Sequence, residues 1–430
     1  MVYNSFFKST VLFSILFMVA CGKSMRPTTT LPMSDEPRAR QISLKTKNDK
    51  KEIITGADNF DAYLSLLEGK SVGVVTNQTG IVRYIENRTE ADNIILNTNQ
   101  EGMMSVVDFL LDNKINVQKI YAPEHGFRGT ADAGELIKDG KDTKTGLPII
   151  SLYGDNKKPR PDQLDGIDIL VFDLQDVGAR FYTYISSLHY IMEACAEKDL
   201  PLIVFDRPNP NGAIIDGPIL EKEHSSFIGM HSIPVLHGMT IGEYGQMING
   251  EKWLKDSVQC QLTVIPCLNY RRNMFYHLPV KPSPNLPNDK AINLYASLCF
   301  FEGTNVSLGR GTDKQFQVYG SPDLPDTGFS FTPTPNEGSK EPPLKGRVCF
   351  GEDLSNAPKV KKLELKWLLK AYDETRDKSV FFTSFFTKLA GTQTLREQIE
   401  SGMDEGDIRS TWKEGISDFK KMRKKYLIYR

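Results

Sequence analysis

Four stretches of this chain set proton-moving groups beside groups that hold anions. In Pro123 to Gly129, PEHGFRG, a carboxylate (Glu124), an imidazole (His125) and a guanidinium (Arg128) fall within five residues, bounded by turn-forming Pro123 and Gly126. A carboxyl held in a cleft can have its pKa raised toward the working pH, so Glu124 reads as a general acid or base. The plain alternative is a helix cap or a salt bridge to Arg128. His125 either assists by hydrogen bonding or belongs to the core. In Ile167 to Tyr184, IDILVFDLQDVGARFYTY, an apolar run stops at Asp173 and is followed by Gln175, Asp176, Arg180, Tyr182 and Tyr184. The third stretch, DRPNPNGAIIDG from Asp206, carries Arg207 and Asn209; the fourth, EGTNVSLGRGT, carries Glu302, Asn305 and Arg310.

Planar guanidinium groups fit carboxylates in bidentate fashion, so Arg180, Arg207 and Arg310, with Arg128, are candidates to clamp an anionic substrate group. Tyr182 and Tyr184 point the same way if the extended conformation continues past the strand, giving a face that could stack on a sugar. Asn209, Glu243 and Asn305 complete the candidate binding groups. Serine chemistry has little support: no GxSxG elbow occurs, and Ser186 and Ser187 lie on a helix facing the sheet. Glu124, His125, Asp173 and Asp176 could ligate a metal, although HExxH and comparable spacings are absent.

The elements that must position these groups follow from periodicity. Ile169 to Phe172 is an unalternated apolar run, the pattern of a strand covered on both faces. Leu202 to Phe205 repeats it, and Asp206 repeats Asp173 after one βαβ length, which makes the two strands parallel, adjacent and ended by aspartates on one edge. Further strands are expected at 72–76, 117–121, 149–153 and 262–265. Helices are expected at 58–69, 103–113, 185–198, 242–253 and 407–425. Three polar loops then converge beyond the carboxyl ends of the strands, where open α/β sheets bind ligands. Gly80 follows the first strand without a GxGxxG fingerprint, so neither NAD nor FAD is expected and no cofactor is assigned.

A net charge of -1 over 430 residues leaves no basic footprint for nucleic acid. Lys8 followed by the apolar run Val11 to Ala20 and Cys21 reads as a lipoprotein-type signal, residues 1–21, with Cys21 as the lipidated residue and a flexible tether over 22–55. That predicts export to the periplasm or cell envelope and a membrane partner reached through a lipid anchor. A plain secretory signal or a short anchor is the alternative. The five other cysteines have apolar settings that favour buried thiols. The Pro-rich PVKPSPNLPND from Pro279 marks the passage from a catalytic domain, 56–280, to a C-terminal α/β domain, 281–430.

Taken in order, PEHGFRG, SLYG, DLQDVGARFYTYISSLHYIMEA, DRPNPNG with its DGP, HGMTIGE, PSPNLP and EGTNVSLGRGT resemble the exo-acting β-N-acetylmuramidase family, the NamZ- or YbbC-like peptidoglycan hydrolases, over residues 56–430. The resemblance implies a Rossmann-like, mostly parallel sheet domain joined to a smaller α/β domain with the active cleft between them. It implies release of terminal N-acetylmuramic acid from the non-reducing end of peptidoglycan fragments, and it lays the family's PEHG carboxylate on Glu124. Asp216 departs from the pattern, where Glu is expected before GP. The lactyl carboxylate of that sugar suits an arginine, and its glycosidic bond suits a pair of carboxyls, for which Asp176, Glu243 and Glu302 are the partner candidates. A non-catalytic cell-wall-binding lipoprotein or a metal-dependent deacetylase or amidase are the alternative functions.

Overall fold

Apolar runs without polar alternation become strands buried on both faces, and such strands carry this fold. The computed structural model describes residues 52–86, 100–124, 126–128 and 139–430. The expected signal, Cys21, most of the expected tether and His125 lie outside them. In chain order come α1 (Leu64–Leu67), β1 (Ser71–Thr76), β2 (Ile81–Glu86), β3 (Gln100–Ser105), α2 (Val106–Asp112), β4 (Asn116–Ala122), β5 (Gly140–Lys141), β6 (Pro148–Ser151) and β7 (Ile169–Asp173). They are followed by α3 (Tyr184–Lys198), β8 (Leu202–Phe205), β9 (Asp216–Ile219), β10 (Pro234–Leu236), α4 (Ile241–Gly250) and β11 (Leu262–Ile265). The C-terminal part holds α5 (Asp289–Leu298), β12 (Val318–Ser321), β13 (Ser330–Phe331), β14 (Cys349–Asp353), α6 (Lys366–Glu374), α7 (Phe385–Ala390), α8 (Thr394–Glu400), α9 (Glu405–Ser410) and α10 (Lys413–Arg423).

Among the described residues seven strands form one sheet in the order β11-β8-β7-β1-β4-β6-β5. Every neighbouring pair is parallel except β5 with β6. The chain winds from β1 through β4 to β6, crosses back to β7 and continues outward to β8 and β11. Strands β1 and β7 therefore lie side by side while their connections leave in opposite directions. This is the switch point of a doubly wound sheet, and the crevice beyond it is where such folds bind ligands. The expected pairing of the two apolar repeats is present, with Leu170 beside Leu202 and Phe172 beside Val204.

Successive residues of β7 feed opposite faces, as strand geometry requires. Leu170 and Phe172 join a core that continues through Leu188 of α3 to Phe300, Trp367 and Trp412 of the C-terminal part. Ile169 and Val171 join a second core with Val72, Val74, Leu110 and Phe205. The smaller C-terminal part pairs β14 with both β12 and β13, antiparallel, among its helices. No helix among the described residues is long and apolar enough to cross a membrane.

Three expected helices differ. The segment 58–69 is a 3-10 turn, Phe60–Ala62, followed by short α1, because Asp58 is drawn to Arg83 (2.9 and 2.7 Å) instead of capping. Residues 103–105 belong to β3, which pairs with β2, and Ser105 caps α2 by accepting from the Val107 amide. The last helix is divided by a break at Thr411 and Trp412, with Asp404 capping α9 and Trp412 buried.

Candidate active site

Glu124 stands at the first turn beyond β4, whose last residues Ile120, Tyr121 and Ala122 are fully buried. The Gly126 amide donates to the Pro123 carbonyl at 3.0 Å and Gly126 adopts φ +73°, a left-handed turn that suits glycine and leaves Glu124 at its tip. The Glu124 carboxyl is oriented from both sides: Thr183 Oγ1 donates to Oε2 at 2.9 Å and the Tyr153 hydroxyl to Oε1 at 3.3 Å. Thr183 immediately precedes α3, so the helix that packs on the sheet also fixes the acid. The loop after β1 supports it further. Asn77 donates to the Tyr184 hydroxyl at 2.6 Å, and that hydroxyl reaches the Glu124 carbonyl at 3.5 Å.

This carboxyl opens on a cleft of about 970 Å³. One wall comes from the strand-end loops, with Tyr153, Lys157, Tyr182 and Phe227; the other comes from the C-terminal part, with Asn285, Glu302, Arg310 and Phe385. The two walls are tied together where the Tyr182 hydroxyl donates to the Pro282 carbonyl at 2.7 Å. Arg310 holds Glu302 Oε1 through Nη2 at 2.6 Å and Nε at 3.0 Å, and lies over the Phe316 ring. The glycines around Arg310 have a local reason. Both take positive φ, +83° and +78°, and a Cβ on Gly311 would come within 2.6 Å of Pro342 and of the Thr334 carbonyl. Only a bare backbone lets the GRG turn pack there.

The remaining groups singled out in the sequence go elsewhere. Arg180 is fully buried, and its terminal nitrogens donate to the carbonyls of Pro218, Ile233, Leu389 and Ala390 at 2.7 to 2.9 Å. It clasps the sheet domain to the C-terminal part, and burial pulls its pKa down to about 9. Arg207 makes a bidentate pair with Asp173, at 2.6 and 2.9 Å, that is shut from solvent. Arg128 turns to Asp142 at 2.9 Å. Glu243 caps α4, takes both terminal nitrogens of Arg272 and is fully buried. Asn209 donates to the Met239 carbonyl and Asn305 to Asp323. Asp216 pairs with Arg409 and accepts from the Leu363 amide at 2.9 Å.

Asp176 is buried and is not among the residues that line the cleft. Its Oδ2 accepts from the Gly178 amide at 2.7 Å and lies 3.6 Å from His237 Nε2, while Oδ1 has no hydrogen-bond partner. Burial pushes the Asp176 carboxyl up to about 7 and His237 down to about 3. Tyr182 and Tyr184 do line the cleft, but not as a flat stacking face. The extended backbone gives way to α3 at Tyr184, and the two rings meet edge to face at 4.9 Å. Of the sequence-derived set, the cleft thus brings together Glu124, Tyr182, Tyr184, Glu302 and Arg310.

Sequence reasoning passed over Tyr153, Lys157, Thr183, Phe227 and Asn285. Tyr153, Thr183 and Asn285 sit inside SLYG, FYTY and PSPNLP, so those motifs were the available signal; Lys157 and Phe227 lie in polar loops with none. Gly80 is explained by packing, since a Cβ there would overlap Thr76 Oγ1 and come within 3.1 Å of Asp173. The five described cysteines are all buried free thiols. Among the described residues, the one trio with metal-ligand spacing is Glu221, Glu223 and His224, and it does not line the cleft.

Residues 72–290 match the family described as exo-beta-N-acetylmuramidase NamZ, N-terminal, and residues 293–429 match its C-terminal counterpart. The peptidoglycan beta-N-acetylmuramidase NamZ of Bacillus subtilis strain 168 is 38% identical over 445 residues, covering 96% of this chain and 99% of that protein. Two crystal structures of DUF1343 family proteins from Bacteroides fragilis NCTC 9343 share the fold. One is 43% identical with a TM-score of 0.78, the other 28% identical with a TM-score of 0.69, and each match covers 88% of this chain and 99% of that one. With both family halves matched in order and a relative of this identity aligned almost end to end, the chain belongs to the exo-beta-N-acetylmuramidase NamZ family.

Proposed function

We propose that this chain is an exo-acting glycoside hydrolase that releases terminal N-acetylmuramic acid from the non-reducing end of peptidoglycan fragments. The observation that carries the reading is the carboxyl of Glu124, held by two hydroxyls at the mouth of the switch-point crevice and facing a wall that bears Glu302 and Arg310. Glu124 protonates the glycosidic oxygen as the bond to the anomeric carbon breaks. Glu302, oriented by Arg310, supplies the negative charge that stabilises the oxocarbenium-like carbon or activates water. A relative that cleaves muramyl bonds and is 38% identical supports the substrate class.

Glu124→Gln keeps shape and hydrogen bonding but removes the proton, so kcat for a muramic-acid-terminated disaccharide should fall by about 10² to 10⁴, with little change in KM. An activated phenol barely needs protonation, so hydrolysis of a nitrophenyl muramide should suffer far less. Equal loss on both substrates in a folded variant would remove Glu124 from the acid role.

The same reading places the enzyme at the cell envelope, tethered through Cys21, on the strength of the apolar run Val11 to Ala20 that precedes it. Mass spectrometry of the mature N-terminus decides this; an unmodified terminus elsewhere than Cys21 removes the lipid. The reading also keeps a catalytic domain over 56–280 and a C-terminal domain over 281–430, supported by the nearby junction of the two family halves.

A further inference from the structure

We propose that Lys157 reads the lactyl carboxylate of the terminal sugar and thereby sets the preference for muramic acid over glucosamine. The proposal rests on the muramidase reading above and names the group that would make it selective.

The lactyl ether at C3 gives N-acetylmuramic acid its negative charge; N-acetylglucosamine is the same ring without it. A cleft that separates the two needs a cation left over after its internal pairs are made. Arg310 is committed to Glu302, Lys340 on the same wall has interactions of its own, and Arg180 and Arg207 do not line the cleft. Lys157 lines it, and no carboxylate among the described residues pairs with it. Its Nζ lies 5.3 Å from the centroid of the Phe227 ring, a lining residue of the same cleft. An aromatic face positions an ammonium without neutralising it, so the charge stays available to an incoming anion.

The position is built from α3. Lys158, the next residue, donates to Glu193 and Glu197 at 2.7 Å each, which pins this loop to the outer turns of α3. Phe227 stacks on Tyr190 of the same helix, rings 13° from parallel at 6.1 Å. The residue before the helix, Thr183, holds Glu124. One rigid helix therefore anchors the acid at its start and the cation's platform seven residues on, about 10 Å along the axis at 1.5 Å per residue. With side chains projecting from both ends, that separation suits a single pyranose whose C1 oxygen meets the acid and whose C3 substituent meets the ammonium.

The test compares nitrophenyl N-acetylmuramide, its methylamide at the lactyl carboxyl, and nitrophenyl N-acetylglucosaminide on wild type, Lys157→Met and Lys157→Arg. In Lys157→Met the ratio of kcat/KM for the muramide over either uncharged substrate should shrink about 10- to 100-fold, the worth of a hydrogen bond to a charged group, chiefly through KM. Lys157→Arg should restore part of it. An unchanged ratio, or a loss equal on all three substrates, would overturn the proposal. Calorimetric titration with free N-acetylmuramic acid and N-acetylglucosamine keeps the two readings apart. Lys157-dependent preference for the acid sugar without turnover of any muramide would sink the hydrolase and leave the recognition site standing, whereas no preference in wild type would sink Lys157.

Discussion

Arg180 and Arg310 invite comparison, because both looked equally suited to hold an anion. Arg310 lies on the cleft wall between two glycines, pairs with Glu302 and meets the space where a ligand can enter. Arg180 lies where the sheet domain and the C-terminal part meet, with four backbone carbonyls around it and no access to solvent. The same contrast separates Asp173 and Arg207, closed on each other at the strand ends, from Glu124 and Lys157, which line the cleft. What separates the two roles in this molecule is access: some charged groups are closed inside the protein and others line the cleft. A closed group makes a staple, and a group on the cleft wall makes a site.

The comparison breaks most visibly at Arg180. Replacing it by Met takes a donor from four carbonyls at the junction, and unfolding in denaturant should show a loss of about 3 to 5 kcal/mol, the cost of removing one member of a buried polar arrangement. Glu124→Gln should leave the same unfolding curve almost unmoved while destroying turnover. If both variants unfold alike, the division into staples and site groups fails.

A finer test uses Asp176, whose raised pKa has a definite sign. Because burial favours the protonated form in the folded state, its contribution to stability is present below the unfolded carboxyl pKa of about 3.9 and is lost as pH rises through about 7. Asp176→Asn should therefore gain stability relative to wild type as pH climbs from 4 to 8, and unfolding midpoints across that range check it. A flat difference would mean that Asp176 titrates as an exposed carboxyl does. At the small end, Lys198→Ala removes a surface pair with Asp165 that is half open to water, and its effect should stay within about 0.5 kcal/mol.

The sheet was legible because periodicity reports burial. The β7 and β8 repeats, their parallel pairing and the loops they aim at one edge all follow from apolar runs and spacing. The site was only partly legible, since partner choice is a three-dimensional matter. Nothing local distinguishes Arg180, eleven residues after Ile169, from Arg310, eight after Glu302; the carbonyls that hold Arg180 come from positions 218, 233, 389 and 390. Lys157 was hidden for the opposite reason. A cation in a polar loop looks like solvent exposure until Phe227, seventy residues later in the chain, appears beneath it. The β2 and β3 hairpin escaped notice because it lacks the alternation that reveals a half-buried strand.

Tyr429 donates its hydroxyl to Asp206 at 2.6 Å and receives the Cys267 amide at 2.8 Å, while Glu243 gathers the Ile428 and Tyr429 amides at 2.8 and 3.1 Å. The aspartate that follows β8 thus depends on a partner 223 residues downstream. Closing so distant a contact adds loop entropy to the folding barrier. The β8 end of the crevice is therefore complete only when the last residues of the chain have docked on it.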